Sequence, residues 1–377
     1  MAEGDVKTNF EQFKTLRYLR RLIASTPKGL NIMIWGPPGI GKSISIQEYV
    51  QEEGLGFLDT RLSQLDSIDL RGFPRADEDG KYADFIPFKN ILPIPEIHGP
   101  EGILFLDESN LASIDVMKAG YQLLTDKKIG GYTLPPGWRI LLAGNRPEDA
   151  PGVVRDLPVP LKNRMYHFEV TPPITEEARQ DLFTWYYKHD VHPSAIAFLK
   201  MNPSHIHDMT NAVRENAWPS PRSWTMASEA IMGMGIAKED GSLDFGRYEE
   251  MMFLVGDAVG KGEAISFSAF AKVYERLPNA RKILTDGYES INNIPDRKDK
   301  AVVYALTTSM VANLRDPELY TNPSVVRNYF DYIKTIDKEF AIKSIKDCAG
   351  IKGLWQSVLN NAEYKKYAAE NVQYLRL

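Results

Sequence analysis

Residues 36–43 read Gly-Pro-Pro-Gly-Ile-Gly-Lys-Ser, and this octapeptide decides the fold that we expect the chain to adopt. It satisfies the pattern G-x-x-x-x-G-K-[ST] of a phosphate-binding P-loop. Residues 30–35 before it are apolar, as is typical of a buried parallel strand, and residues 43–50 after it favour a helix. A strand, a glycine-rich loop and a helix in this order are the context that supports the motif.

The residue types of the loop suit the binding of a nucleoside triphosphate. Glycine lets the backbone bend so that successive amide groups point at one anion, and the helix N-terminus adds partial positive charge. Lys42 would reach the β- and γ-phosphates, and Ser43 would ligate Mg²⁺. We therefore expect ATP or ADP and Mg²⁺ as the ligands. The binding residues are expected to be Gly36, Pro37, Pro38, Gly39, Ile40, Gly41, Lys42, Ser43 and Ile44.

Two later segments combine an apolar strand with a polar tip. Residues 102–110 read Gly-Ile-Leu-Phe-Leu-Asp-Glu-Ser-Asn, so that Asp107 and Glu108 end a buried strand. Because ligands bind at the carboxyl ends of the strands in open α/β sheets, Asp107 is expected to hold Mg²⁺ and Glu108 to polarise the attacking water. Residues 139–144 form the other strand. Asn145 after it would orient the water or contact the γ-phosphate, unless it only starts a turn.

The composition narrows the class of protein. The chain has 377 residues, 43% hydrophobic and 25% charged, which is ordinary for a globular protein of two or three domains. Its net charge of −5 gives no general attraction to nucleic acid. The single cysteine, Cys348, excludes intramolecular disulfides and fits a reducing compartment. Without an apolar stretch of ~20 residues or a signal-peptide pattern, we expect a cytoplasmic protein that has no membrane contact.

In this order, the motifs resemble those of AAA+ ATPases. More narrowly, they resemble the MoxR branch, which groups with the dynein-related ATPases and with RavA-like and CbbQ/NorQ-like proteins. Residues 36–43 match Walker A, residues 104–110 match Walker B, and Asn145 matches sensor 1. Residues 160–164, Pro-Leu-Lys-Asn-Arg, resemble the arginine-finger segment, and residues 220–222, Ser-Pro-Arg, resemble sensor 2.

The resemblance implies catalytic roles for two arginines besides Glu108 and Asn145. An AAA+ site is completed by the neighbouring subunit, so Arg164 would act on the γ-phosphate that the next protomer binds. Arg146 and Arg155 are rival candidates for this finger. Arg222 would reach the γ-phosphate from the helical lid and couple hydrolysis to lid movement.

Two insertions favour the MoxR branch. The first covers about residues 66–100, where Asp-Gly at 79–80 lies between apolar runs and signals a hairpin. It resembles the helix-2 insert of that branch. The second covers about residues 126–138 and resembles the pre-sensor-1 hairpin. Both insertions line the central pore in related rings.

The expected fold class is α/β: a P-loop NTPase core of the AAA+ type, whose parallel sheet is flanked by helices, then an all-helical lid and a C-terminal helical extension. Residues 1–172 would form the nucleotide-binding domain, residues 173–285 the lid, and residues 286–377 the extension. One amphipathic helix is expected at about 10–25. Helices of the two later domains are expected at about 248–259, 300–314, 323–336 and 354–369.

The resemblance implies a Mg²⁺-dependent ATPase that forms a homo-oligomeric ring, most simply a hexamer. It would remodel a protein client such as a von Willebrand factor A-type protein. One alternative is a DNA-binding motor whose ATPase is stimulated by nucleic acid, and another is a nucleotide-gated scaffold that hydrolyses little ATP. The DNA alternative is supported by basic residues in two segments: Lys14, Arg17, Arg20, Arg21, Lys127 and Lys128. A viral or bacterial source fits the resemblance, and a viral protein would act in the cytoplasm of the infected host.

Four histidines lie close together in the expected lid: His189, His192, His205 and His207. Neutral imidazoles ligate zinc, so a metal site is conceivable there. Because no cysteine accompanies them, we favour the interpretation that they are ordinary histidines of the lid.

Overall fold

A five-stranded parallel sheet lies in the N-terminal part of the chain. The structure, a computed structural model, describes residues 10–150, 154–212, 214–291 and 296–371. It divides into two units, Met1–Pro172 and Pro173–Leu377. The strands are β1 (Ile32–Trp35), β2 (Gly56–Arg61), β3 (Phe73–Ala76), β4 (Ala83–Ile86), β5 (Glu101–Asp107), β6 (Lys128–Ile129), β7 (Tyr132–Thr133), β8 (Gly137–Gly144) and β9 (Tyr166–Glu169). The helices of this unit are α1 (Leu16–Ser25), α2 (Lys42–Glu53), α3 (Ser67–Arg71), α4 (Pro95–His98), α5 (Ile114–Asp126) and α6 (Val159–Lys162).

The strand order of the parallel sheet is β2-β5-β8-β1-β9. Successive side chains of a strand point to opposite faces, so the apolar runs of the three inner strands supply two separate cores. Met33, Leu104 and Leu142 belong to the core on one face. Ile34 and Phe105 belong to the core on the other. Continuous apolar strands of this kind require helices on both faces, which explains the α/β fold.

The register brings the carboxyl ends of the strands to one edge. Trp35 at the end of β1 pairs with Gly144 of β8 and Glu169 of β9. Asp107 at the end of β5 pairs with Arg61 of β2. The loops that follow β1, β5 and β8 therefore meet at this edge.

Two small antiparallel hairpins lie outside the sheet. Strands β3 and β4 pair within residues 66–100, and β6 pairs with β7 within residues 126–138. The hairpins pack against each other: a methyl group on Gly130 would lie 2.8 Å from the backbone oxygen of Arg71 and 3.3 Å from Cβ of Phe85. The two segments that interrupt the α/β pattern thus form one structural feature.

The second unit is helical in its described part. Its helices are α7 (Glu176–Lys188), α8 (Pro193–Met201), α9 (Pro221–Gly233), α10 (Tyr248–Val259), α11 (Lys261–Ala271), α12 (Ala280–Asp286), α13 (Lys300–Asn313), α14 (Pro317–Tyr320), α15 (Pro323–Ile333), α16 (Lys338–Ala349), α17 (Lys352–Asn360) and α18 (Ala362–Glu370). One hydrophobic core extends from Phe183 to Tyr367. A single core spans the expected lid and the expected extension, so the packing shows no boundary at residue 285, and this division stays a prediction. Short 3₁₀ turns lie at Phe10–Phe13, Leu62–Gln64, Pro203–His205, Phe245–Arg247, Lys272–Arg276 and Tyr288–Ser290.

The α/β class with a parallel sheet, followed by a helical region, is confirmed, while two helices differ from expectation. The helix expected at 10–25 begins at Leu16, because the side chain of Thr15 accepts a hydrogen bond from Tyr18 N at 3.1 Å and caps it. The helix expected at 354–369 is two helices, because Asn361 caps a new one by accepting from Glu363 N at 2.9 Å. None of the helices in the described ranges combines the length and apolarity needed to span a membrane.

Candidate functional site

The P-loop joins β1 to α2 in a conformation that only glycine permits at two positions. A methyl group on Gly36 would lie 2.4 Å from the backbone oxygen of Val170, a distance too short for two atoms that are not bonded. Gly41 has a φ of +95° and precedes the first residue of α2, so a side chain there would strain the backbone. The first amide groups of a helix have no partner within the helix, so the start of α2 beside this loop is suited to bind an anion.

Lys42 is buried beneath this loop. Its Nζ donates to the backbone oxygens of Gly36 at 2.7 Å and Pro37 at 2.9 Å, and to Asn145 Oδ1 at 3.1 Å. Residues that are far apart in the sequence, one on the P-loop and one at the end of β8, are therefore brought together. Lys42, which is expected to bind phosphate, is thus hydrogen-bonded directly to Asn145, which is expected to orient the water.

Ser43 and Asp107 also meet. Ser43 Oγ donates to Asp107 Oδ2 at 2.6 Å, across the gap between α2 and the end of β5. A hydroxyl and a carboxylate are the oxygen ligands that Mg²⁺ takes in nucleotide sites, where phosphate and water supply the other positions. The donor set therefore fits Mg²⁺. No group of three or more histidine, cysteine or acidic side chains is placed to hold a metal within the described ranges.

Glu108 has a backbone conformation that is uncommon for a side-chain-bearing residue, with a φ of +53°. Its amide donates to the side chain of Asp107 at 2.8 Å. Its carboxylate accepts a hydrogen bond from Ser63 Oγ, and Arg61 Nη1 lies 4.0 Å from its other oxygen. The residue that we expect to activate water is thus held by the segment that follows β2.

Ser63, Arg61 and a third carboxylate were not found from the sequence. Asp59, on β2, lies beside the site, and its partial burial and then the charge of Asp107 raise the pKa of its carboxyl above the ordinary value. No motif marks these residues. Their place at the site follows from the structure, in which β2 is the parallel neighbour of β5 and Arg61 pairs with Asp107.

Asn110 holds the backbone of Asn145, directly after the end of β8. It is fully buried, and its Nδ2 donates to the backbone oxygen of Asn145 at 2.7 Å. Its backbone oxygen accepts from Arg155 N at 2.9 Å. A methyl group on Gly144 would lie 2.4 Å from Asn110 Oδ1, so this packing requires glycine before Asn145. Asn110 therefore fixes the position of Asn145 relative to Lys42.

The three candidate finger arginines have different surroundings. Arg146 Nε is 3.1 Å from Glu169 Oε1, and its guanidinium lies 5.5 Å from the centre of the Trp35 ring. The Arg146 side chain is therefore held by residues of its own chain. Arg155 and Arg164 are exposed and form no ion pair with a described residue. Arg164 lies in the short connection between α6 and β9.

Arg222 and the four histidines belong to the second unit. Arg222 is exposed on the first turn of α9, which Ser220 caps. His192 is buried, and its Nδ1 lies 2.7 Å from Ser194 Oγ, whereas His205 pairs with Glu263. His189 stacks on Trp185, with ring centres 3.9 Å apart. Each of these three histidines has a packing partner of its own.

No family model and no curated protein matches the sequence. Among solved structures, the chain is similar to NtrX from Brucella abortus in complex with ADP, at 16% identity and a TM-score of 0.41, over 99% of this chain and 70% of that chain. It is similar to the FIGL-1 AAA domain in complex with ADP, at 18% identity and a TM-score of 0.32, over 72% of this chain and 89% of that chain. A variant of RuvB from Thermotoga maritima matches at 14% identity and a TM-score of 0.31, over 94% of this chain and 84% of that chain. These TM-scores are below 0.5, so the function is inferred from the residues of the site.

Proposed function

We propose that the chain is an ATP- and Mg²⁺-dependent ATPase of the AAA+ class that works as a ring and remodels a protein client, as MoxR-type ATPases do. One observation carries the proposal. Lys42 contacts Asn145, and Ser43 contacts Asp107, so groups from the P-loop and from the ends of two other strands converge at one sheet edge. Positioning and charge stabilisation by such groups are what phosphoryl transfer needs.

The binding groups have separate tasks. The Lys42 ammonium, held by two loop carbonyls, would bind the β- and γ-phosphates. Ser43 and Asp107 would hold Mg²⁺, Asp107 mostly through water. Bound Mg²⁺ would neutralise charge on the β- and γ-phosphate oxygens. The amide groups at the start of α2 would add hydrogen bonds to the phosphates.

Glu108 would accept a proton from the attacking water. The hydrogen bond from Ser63 occupies one oxygen of this carboxylate, so the other oxygen can accept the proton. Asn145 would hold the water or the γ-phosphate, and Asn110 keeps its backbone in place.

The position of Arg164 supports a site shared between subunits. Arg164 lies at the amino end of β9, whereas the P-loop follows the carboxyl end of β1, and these strands run parallel in register. Four paired residues at about 3.3 Å each separate the two ends by roughly 13 Å. The Arg164 backbone therefore lies at the edge of the sheet opposite to the P-loop, and the target of its side chain would be the nucleotide of a second copy. A closed ring gives every copy such a neighbour.

The paired hairpins are the expected contact for a protein client. Large apolar side chains there are exposed, among them Phe73 at 63% and Tyr82 at 76%. Exposed aromatic residues on a supported hairpin suit contact with a polypeptide. A von Willebrand factor A-type client is proposed from the resemblance to the MoxR branch.

The DNA alternative has less support from the structure than from the sequence. Arg20 pairs with Glu48 at 2.9 Å, and Lys14 pairs with Glu11 at 2.9 Å. Burial lowers the pKa of Lys127 to about 8, and its Nζ contacts Asn31. Three of the basic side chains therefore have partners in the chain itself.

Two variants test the ATPase. We expect Lys42→Ala to lose nucleotide binding, because the phosphates lose their cation. Glu108→Gln should bind ATP but turn over about 10²–10⁴-fold more slowly, since it has no base for the water. Glu177→Gln, an exposed carboxylate on α7, is the matched control and should hydrolyse ATP normally. Turnover retained by Glu108→Gln would rule out its role, and a negligible turnover of the unaltered protein would favour the scaffold alternative.

The same slow variant tests the client. Tagged Glu108→Gln, loaded with ATP in lysate of the native host, should retain its client for mass spectrometry. Capture of one protein that Lys42→Ala does not retain supports remodelling. Capture of nuclease-sensitive nucleic acid alone would favour the DNA motor, and its binding should then weaken steeply with salt.

A further inference from the structure

A buried asparagine fixes the backbone of Arg164. Asn31 lies directly before β1, and its Nδ2 donates to the backbone oxygens of Arg164 at 3.3 Å and Leu124 at 2.7 Å. Its Oδ1 accepts from Lys127 Nζ, and its backbone oxygen accepts from Tyr166 N at 2.8 Å. Asn31 is 4% exposed, so its removal would leave these groups without water to replace it. The start of β1, the end of α5 and the Arg164 segment are joined at this one residue.

An aromatic ring supports the side chain of the same arginine. The Arg164 guanidinium carbon lies 5.8 Å from the centre of the Tyr121 ring, and Tyr121 projects from α5. Tyr121 also packs against the core on its face of the sheet, which fixes the ring. A cation over the face of a ring is attracted by the ring quadrupole. The exposed arginine therefore has a preferred direction.

We propose that Tyr121 and Asn31 are positioning residues that hold Arg164 ready for the nucleotide of the next subunit. This inference rests on the proposed function. Neither residue contacts phosphate; each acts through Arg164, one on its guanidinium and one on its backbone. Tyr121 belongs to α5, and Asn31 donates to Leu124 of the same helix. Because α5 begins shortly after Asp107 and Glu108, one helix would connect the Mg²⁺ end of a site to the arginine that serves the neighbouring site.

The rival arginine has no comparable support. Arg155 is exposed, and no described aromatic ring lies under its guanidinium. Its backbone amide is held by Asn110, but nothing in the described ranges directs its side chain. A finger acts by placing charge at one point, and a preorganised side chain does this with less loss of freedom. The support at Arg164 thus selects it over Arg155.

A double-mutant cycle in the full chain tests the role of Tyr121. Tyr121→Leu should lower kcat about two- to fivefold, the factor that corresponds to a partly exposed cation–π contact, and leave ATP affinity unchanged. Tyr121→Phe keeps the ring and should keep kcat. In an Arg164→Ala background, Tyr121→Leu should have no further effect on kcat, because the group that it positions is gone. Tyr248→Leu is the matched control, since Tyr248 lies under Lys272 at 5.1 Å in the second unit, and it should keep kcat.

The outcomes separate this inference from the proposed function. If Arg164→Ala lowers kcat but Tyr121→Leu lowers it by the same factor in both backgrounds, Tyr121 does not act through Arg164 and the inference is wrong. If Arg164→Ala leaves kcat unchanged, the shared site itself is wrong. Asn31→Asp, which removes the donor to Arg164 but keeps the size and the contact with Lys127, should also lower kcat with ATP affinity retained. An unchanged kcat in folded Asn31→Asp would remove Asn31 from the proposal.

Discussion

Two side chains at and just after the end of β2 hold the carboxylate of Glu108 in place. Ser63 donates to its carboxylate and Arg61 lies 4.0 Å from it, while a φ of +53° fixes the direction in which its side chain leaves the chain. A left-handed conformation at a residue other than glycine costs free energy, and such strain is often found at functional sites. At the residue scale, the site is held in one arrangement by neighbours that take no part in binding phosphate.

If the chain hydrolyses ATP as proposed, Ser63 should restrain turnover. In Ser63→Ala, the Glu108 carboxylate loses a hydrogen bond that stabilises its charged form more than its protonated form, so we expect basal kcat to rise, by up to roughly tenfold for a hydrogen bond to a charged group. Steady-state hydrolysis at saturating ATP measures it, and ATP affinity should not change. A fall in kcat would mean that Ser63 orients the base rather than restrains it.

His192 makes the stability of the chain sensitive to acid. Burial lowers the pKa of its imidazole to about 4, from an ordinary value near 6.5. Between these values, the unfolded chain binds a proton that the folded chain does not, so folding should weaken by about 1.4 kcal/mol per pH unit as the pH falls below 6.5. The loss should level off below about pH 4.

This effect is measured by urea unfolding at pH 7 and pH 5. His192→Gln has no such proton and should lose less stability between the two pH values than the unaltered chain. Equal losses in both would show that other groups cause the acid sensitivity.

The residues found from sequence and those missed differ in how they are encoded. The P-loop residues, Asp107 and Asn145 follow from local patterns, because each lies at the end of an apolar strand. Ser63, Asp59 and Tyr121 act through pairing and packing between distant segments. Their roles depend on strand order and on how α5 packs, which a single sequence does not show.

At the scale of elements, the inner strands were predictable and several helix boundaries were not. Strands buried on both faces have continuous apolar runs, whereas α17 and α18 differ from one long helix only through the cap at Asn361. Two glycines on neighbouring strands had no local explanation. Methyl groups on Gly56 and Gly102 would lie 2.8 Å and 2.7 Å from the ring of Trp138, which crosses both strands.

The helix α5 contains a glycine that the fold does not need. Gly120 is buried and borders a core cavity of about 20 Å³, and a methyl group there would lie 3.8 Å from Leu70 Cδ1, an ordinary contact. Gly120→Ala should stabilise the chain by about 1 kcal/mol, because alanine loses less backbone entropy in a helix. The change is measured as a shift of the urea midpoint.

Gly56→Ala is the contrasting variant. Its methyl group would lie 2.2 Å from the backbone oxygen of His98, so it should destabilise the chain. Destabilisation by Gly120→Ala would mean that α5 has no room at this position.

At the scale of the whole molecule, the sheet separates the two groups of residues to which the proposed function assigns catalysis. The phosphate loop, Asp107 and Asn145 lie at its carboxyl edge, whereas Arg164 lies at the amino end of β9. Under the proposed function, a single copy would offer one half of a site at each edge. Activity should depend on assembly and increase with protein concentration until the ring is complete.

Mixing two inactive variants tests this division most directly. Arg164→Ala should bind ATP and hydrolyse it poorly, and Lys42→Ala should not bind ATP. In mixed assemblies, some Arg164→Ala subunits receive Arg164 from a Lys42→Ala neighbour, so ATP hydrolysis should recover to a part of the normal rate that varies with the mixing ratio. Hydrolysis that stays at the sum of the two separate variants, in assemblies shown to contain both, would contradict a site shared between subunits.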